Sequence, residues 1–126
     1  MGYATYHQVI TELSPENWVY QGMKSYVLTH RKMNDTAAVK FVNRPAYELI
    51  SELKQQDGKA IWICGGANLI NQLVRQDLID EYHLTIIPKL LGEGIRLFEE
   101  NDTVIRLSLI AAKVENGVLD CIYRKR

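Results

Sequence analysis

Residues 61–72 read IWICGGANLINQ, where an apolar run meets two adjacent glycines and a helical pattern follows at once. The run AIWIC (60–64) is short and continuously apolar, which predicts a strand covered on both faces. Four apolar residues recur along one side of 67–79, as expected of a helix. In α/β sheets, ligands bind where strands end, and glycine there lets a ligand approach the backbone. The pair Gly65-Gly66 therefore marks a candidate ligand site.

The rest of the chain continues this alternation of strands and helices. The predicted elements are a weak helix at 1–13, strands at 25–29 and 38–42, a helix at 44–59, a strand at 81–91 ended by Pro88, and two β-type runs within 103–125. Asn116-Gly117 separates the last two runs and is a strong hairpin signal. This order predicts an α/β fold, with a mostly parallel sheet flanked by helices and a C-terminal antiparallel hairpin.

Composition excludes several classes of protein. The 126 residues include 15 basic and 15 acidic side chains, a balance that gives no reason to expect nucleic acid or an anionic membrane as partner. No apolar run approaches the ~20 residues that span a bilayer, and the first residues have no signal-peptide pattern. Cys64 and Cys121 lie in apolar runs, which favours reduced thiols in a cytoplasmic protein. No spacing of ligand residues predicts a metal site.

Two clusters are candidates for anion binding. The backbone amides at the start of the helix after Gly66 suit a pyrophosphate, although two glycines also fit a tight turn without a ligand. Thr29, His30, Arg31 and Lys32 follow another strand and suit a ribose phosphate, although a solvated basic loop is an alternative. Asp80-Glu81 and His83 are considered as catalytic candidates and are interpreted as structural or solvated.

Three segments carry a resemblance to a known family. They are IWICGGANLINQLVRQDLIDEYHLTIIPKLLGEGIRLF (61–98), YVLTHRK (26–32) and GYATY (2–6). Together they resemble the dihydrofolate reductase-like superfamily, and within it the branch that includes the C-terminal reductase domain of riboflavin biosynthesis. The first segment matches that branch in the order and spacing of strand, Gly-Gly, helix, Leu-x-Asp-Glu, strand, proline and Gly-x-Gly.

The resemblance implies NADPH as cofactor. It places Thr5 near the pyrophosphate, and it places Thr29, His30 and Arg31 on the adenosine side with its 2′-phosphate. The pyrophosphate cradle would consist of Gly65, Gly66, Ala67, Asn68 and Leu69. It also implies a cis peptide between Gly65 and Gly66. Tyr3 stands where the family usually has arginine.

The resemblance also implies a further strand at the start of the domain. In the family that strand lies between those corresponding to 60–64 and 82–88, and its loop forms much of the substrate pocket. The 126-residue chain is therefore expected to be one N-terminally truncated domain. The gap left by the missing strand would close by direct pairing of 60–64 with 82–88, be filled by another chain, or leave the fold unstable. No residue matches the family's substrate-contacting carboxylate, so the catalytic acid is unassigned.

The leading hypothesis is an NADPH-dependent reductase of a small heterocyclic substrate, pterin- or aminopyrimidine-like, acting by hydride transfer. The alternative is a non-catalytic relic or interaction module of the same fold. A homodimer is expected in either case, because unpaired strand edges are templates for another chain. The hairpin at 103–125 is its expected contact, and related domains of this branch commonly pair through that region.

Overall fold

The computed structural model describes residues 1–126 and contains three α-helices, one π-helical segment and five strands. The helices are α1 (Tyr3–Gln8), α2 (Ala46–Lys54) and α3 (Ala67–Arg75), and the π-helical segment Val9–Leu13 continues α1. The strands are β1 (Ser25–Leu28), β2 (Val39–Val42), β3 (Glu81–Ile86), β4 (Leu107–Glu115) and β5 (Val118–Lys125). None of the helices has the length and apolar character that a membrane-spanning helix requires.

The strands form two separate sheets. β1 and β2 pair in parallel, and β3, β5 and β4 form an antiparallel sheet in that order. β4 and β5 are joined at Asn116 (φ +51°) and Gly117 (φ +79°), the left-handed pair that a two-residue hairpin turn requires. The predicted α/β class and C-terminal hairpin are confirmed, and parallel pairing is limited to β1 and β2 with one isolated parallel bridge between Gly2 and Leu28.

Helices α2 and α3 pack on each other through the faces that the sequence predicts. Ala46, Ile50, Leu69 and Leu73 form one buried cluster between them. Both helices end earlier than predicted. α3 ends before Asp77, whose φ of +57° is incompatible with a continuing helix. A second cluster joins α1 to the parallel sheet through Tyr6, Val27 and Val39.

The predicted strand at 60–64 is wrong. These residues have no ladder partner, and Trp62 is 62% exposed. The edge of β1 opposite β2 is occupied instead by Met1, whose amine donates to the Tyr26 carbonyl and whose carbonyl accepts from Leu28 N–H. An apolar run becomes a strand only when a neighbouring backbone pairs with it. Direct pairing of 60–64 with β3 does not occur either.

A long apolar stretch after β3 is exposed. We call residues 86–98 the apolar segment; it includes Leu90, 104% exposed, and Ile95, 93% exposed. The accessible surface of the whole chain is 9839 Å². A compact monomer of 14.5 kDa has about 6,900 Å². The chain therefore exposes far more surface than a closed domain of its size.

Candidate functional site

A polar cavity of about 370 Å³ lies where β1 and β2 end. Parallel strands place their carboxyl ends at the same edge, so the loop after β1 and the residues after β2 meet there. The lining residues are Thr29, His30, Arg31, Lys32, Met33, Asn34, Phe41, Val42 and Asn43. The His30 ring Nδ1 lies 2.8 Å from Asn43 Oδ1, which ties the two loops together. The structure thus brings together the predicted residues Thr29, His30 and Arg31.

This cavity is suited to an anion. No carboxylate lines it, and neither Arg31 nor Lys32 takes part in an ion pair. The Arg31 backbone N–H donates to Thr29 Oγ1 over 3.1 Å, which fixes the start of the loop. Cations without a counterion offer their charge-assisted hydrogen bonds to a phosphate.

The glycine turn, Gly65-Gly66, lies against α1. Gly65 has φ +68° and Gly66 has φ +87°, so both occupy the left-handed half of conformational space. A Cβ on Gly65 would lie 3.4 Å from Thr5 Oγ1. The structure therefore brings Thr5 next to the glycine pair.

The predicted cis peptide between Gly65 and Gly66 is wrong, because the structure contains no cis peptide bond. The chain reverses into α3 by the positive φ of both glycines, with a trans peptide between them. The turn needs glycine for its backbone angles, and a cis bond is unnecessary.

The start of α3 has free backbone donors. Gly66 is the N-cap and provides no side chain, and the amides of Ala67, Asn68 and Leu69 have no acceptor within the chain. The side chains of Asn68 and Leu69 have partners within the chain: Asn68 Oδ1 accepts a hydrogen bond from Gln72, and the Leu69 side chain is buried in the core. These residues therefore present main-chain N–H groups, together with the positive end of the helix dipole, to an anion.

Helix α1 separates the glycine turn from the basic loop and contacts both. Thr5 faces Gly65, and the Tyr3 ring lies under Arg31, with the guanidinium carbon 4.6 Å from the ring centroid. Residues two apart on a helix point to different sides, so one short helix can meet both segments. The candidate site is thus one arrangement of three parts: the cavity, α1 and the glycine turn.

Next to the glycine turn, Cys64 forms a polar contact with Tyr20. The Tyr20 hydroxyl lies 3.2 Å from Cys64 Sγ. This hydrogen bond, helped by partial burial, raises the pKa of Tyr20 to about 12. Both cysteines are free thiols, as the sequence predicts.

Asp80 and Glu81, at the start of β3, form ion pairs with other parts of the chain. Asp80 Oδ2 pairs with Lys54 over 2.6 Å. Glu81 contacts Arg124 at 2.8 Å and His83 at 2.6 Å, and the Arg124 contact, followed by that of His83, holds the pKa of Glu81 below its usual range. Glu81, His83 and Arg124 lie on the three-stranded sheet and Asp80 directly precedes it, and none of these residues lines the cavity.

The sequence did not predict several residues of the site, and two of its contacts show why. Asn43 lines the cavity and holds His30, and its position directly after β2 was the signal that could have found it. The contact between Tyr3 and Arg31 joins distant parts of the chain, and no local pattern encodes it.

Comparison with known proteins shows related chains and a related fold. A protein from Shewanella sp. PV-4, assigned by its name to riboflavin biosynthesis, superposes with a TM-score of 0.81 at 26% identity, covering 100% of this chain and 72% of that one. The Bacillus subtilis protein YwjB is 40% identical over 112 residues, or 85% of this chain, and YyaP of the same organism is 34% identical over 101 residues, or 79% of it. Both are uncharacterized. The chain spans 62% of the length of YwjB and 54% of that of YyaP.

The family model described as the RibD C-terminal domain matches residues 6–119, which is most of the chain. This match and the Shewanella superposition confirm the resemblance drawn from 61–98 to the riboflavin-biosynthesis branch of the dihydrofolate reductase-like superfamily. The chain belongs to the RibD C-terminal domain family.

Proposed function

We propose that this chain is the cofactor-binding part of an NADPH-dependent reductase, which reduces a small pterin- or aminopyrimidine-like heterocycle by hydride transfer. The observation that carries the proposal is the acid-free cavity at the ends of β1 and β2, in which Arg31 and Lys32 have no counterion. The family membership supports a reductase-like fold of the riboflavin pathway.

The residues present fit the cofactor. Arg31 and Lys32 would hold the 2′-phosphate, and His30, fixed by Asn43, would border the adenosine. The free amides at the start of α3 would donate hydrogen bonds to the pyrophosphate beside Thr5. When bound, NADPH supplies the hydride. The role of this chain is to bind and orient it.

Titration calorimetry with NADPH and NADH tests the proposal. We expect the chain to bind NADPH more tightly than NADH. Arg31→Ala should weaken NADPH binding by about 1.5–3 kcal/mol, the worth of a charge-assisted contact, and leave NADH nearly unchanged. Lys59→Ala, an exposed lysine outside the cavity, is the matched control and should change neither. Absence of NADPH binding at millimolar concentration would refute the proposal, and equal losses for both cofactors would remove Arg31 from the 2′-phosphate.

A second candidate function is a non-catalytic interaction module. The observation that favours it is the exposed apolar segment 86–98, a surface suited to another protein. Steady-state oxidation of NADPH with pterin and aminopyrimidine substrates separates the two candidates. Turnover supports the reductase, whereas cofactor binding without turnover of any tested substrate supports the module.

We also propose that the chain forms a homodimer in the cytoplasm. Each chain exposes about 2,900 Å² more surface than a compact monomer of its mass. An obligate dimer interface buries about 2,000 Å² in total over both copies, so the excess surface of each chain is large enough to supply its half. The free thiols Cys64 and Cys121 are in keeping with a reducing compartment.

A further inference from the structure

Arg31 lies on an aromatic platform. Its guanidinium carbon is 4.6 Å from the centre of the Tyr3 ring, within the range of a cation–π contact. A stacked guanidinium keeps the N–H donors at its rim free for a planar or tetrahedral anion. The Arg31 side chain donates no hydrogen bond and makes no ion pair in the structure, so these donors remain available.

The platform itself is anchored. The centroid of the half-buried Tyr3 ring lies 6.1 Å from that of Tyr6, and the buried Tyr6 meets Phe41 edge to face at 5.2 Å. Phe41 belongs to β2 and lines the cavity. The aromatic contacts therefore connect the exposed Arg31 to the core through Tyr3 and Tyr6, and to the cavity wall through Phe41.

An exposed arginine on a loop samples many rotamers, and fixing it on binding costs affinity. We propose that Tyr3 is a positioning residue, which holds the Arg31 guanidinium ready for the 2′-phosphate and so determines the preference for a 2′-phosphorylated adenosine over an unphosphorylated one. This inference rests on the proposed NADPH site. It adds a specificity determinant outside the cavity lining, because Tyr3 does not line the cavity.

Two small ligands test the inference: adenosine 2′,5′-bisphosphate, which carries the 2′-phosphate, and adenosine 5′-monophosphate, which lacks it. Calorimetry gives the affinity ratio of the two for the parent chain, Tyr3→Phe and Tyr3→Leu. Tyr3→Phe keeps the ring and should keep the ratio. Tyr3→Leu should lower the ratio about fivefold through loss of the cation–π contact, with monophosphate affinity unchanged.

The remaining outcomes separate this inference from the proposed function. If Arg31→Ala lowers the ratio and Tyr3→Leu does not, the positioning role is overturned and the cofactor site stands. If Tyr3→Leu weakens both ligands equally, Tyr3 is merely structural and the inference is also overturned. If the parent chain shows no preference for the bisphosphate, the 2′-phosphate site and the inference fail together.

Discussion

Glycine occupies positions 65 and 66 because the backbone there turns through the left-handed region. Gly65 has φ +68°, and Thr5 Oγ1 stands 3.4 Å from where its Cβ would be. The positive φ would penalise a side chain through backbone strain, whereas the added methyl group would be in ordinary van der Waals contact with Thr5. Glycine at position 65 therefore permits the turn and leaves the backbone open to an approaching ligand.

Gly65→Ala tests whether the glycine turn has a role in binding as well as in folding, and Gly117→Ala is its control. Both substitutions place alanine at a positive φ and should lower the free energy of unfolding by about 1–2 kcal/mol. Only Gly65→Ala adds a methyl group beside Thr5, so it alone should weaken NADPH binding, by about tenfold. Urea denaturation and calorimetry measure the two quantities. Equal NADPH affinity in the two variants would contradict a role of the glycine turn in binding.

Tyr20 predicts a pH dependence. Its folded-state pKa of about 12 lies above the ordinary value of 10.0, so the folded protein holds the phenolic proton more tightly. The resulting stabilisation is complete below about pH 10 and is lost as the pH rises towards 12. We expect Tyr20→Phe to lose less stability over this interval than the parent chain.

The ultraviolet difference titration of parent against Tyr20→Phe isolates the tyrosinate of Tyr20. Cys64→Ala removes the hydrogen-bond partner and should move this titration back towards the ordinary pKa. Formation of the Tyr20 tyrosinate near pH 10 in the parent chain would show that the contact with Cys64 does not protect it.

At the scale of elements, what the sequence predicts depends on how local the determining contacts are. The apolar faces of α2 and α3 follow from helical periodicity, and Asn116-Gly117 encodes its own turn, so these were predictable. The run 60–64 has the composition of a strand, but strand formation depends on a partner backbone that composition does not reveal. The pairings of His30 with Asn43 and of Tyr3 with Arg31 are likewise tertiary.

Asn71 connects α3 to the end of the apolar segment and to the residue that follows it. Its buried amide donates to the carbonyls of Ala67 at 2.7 Å and Leu97 at 3.0 Å, and its oxygen accepts from Glu99 N–H at 3.0 Å. Asn71→Ala should lower the free energy of unfolding by about 1–3 kcal/mol, because it leaves polar backbone groups without partners.

Gln72→Ala is the matched control for Asn71→Ala. Gln72 is exposed, and its side-chain amide bonds only to Asn68 on the same helix. Its loss should change stability by no more than about 0.5 kcal/mol. Urea denaturation of both variants measures the difference, and equal effects would contradict the assignment of Asn71 as a tie between α3 and residues 97–99.

At the scale of the whole molecule, exposed apolar surface is the dominant feature. Leu90 and Ile95 are almost fully solvated, and β3 and β4 are both open sheet edges. Such edges and patches are typical of surfaces that another chain covers. The proposed homodimer would cover part of them by a self-complementary contact.

Sedimentation equilibrium across a hundredfold dilution tests the dimer. Leu90→Glu should weaken association by at least about tenfold, because a carboxylate in an apolar interface remains unpaired. Leu13→Glu, at a leucine that is 69% exposed and lies outside both the apolar segment and the hairpin, is the control and should leave association unchanged. A folded monomer at every concentration would refute the dimer.

The separation of the two sheets has a consequence for local unfolding. The residues of the two buried clusters come from the three α-helices and from the parallel strands β1 and β2. The three-stranded sheet contributes only Tyr82 and Cys121 to the buried residues. Segments with few buried apolar contacts open at lower free energy than the core and exchange their amide hydrogens independently. Amides of β3, β4 and β5 should therefore exchange with deuterium as one cooperative unit, while those of β1 and β2 remain protected until the helical core unfolds.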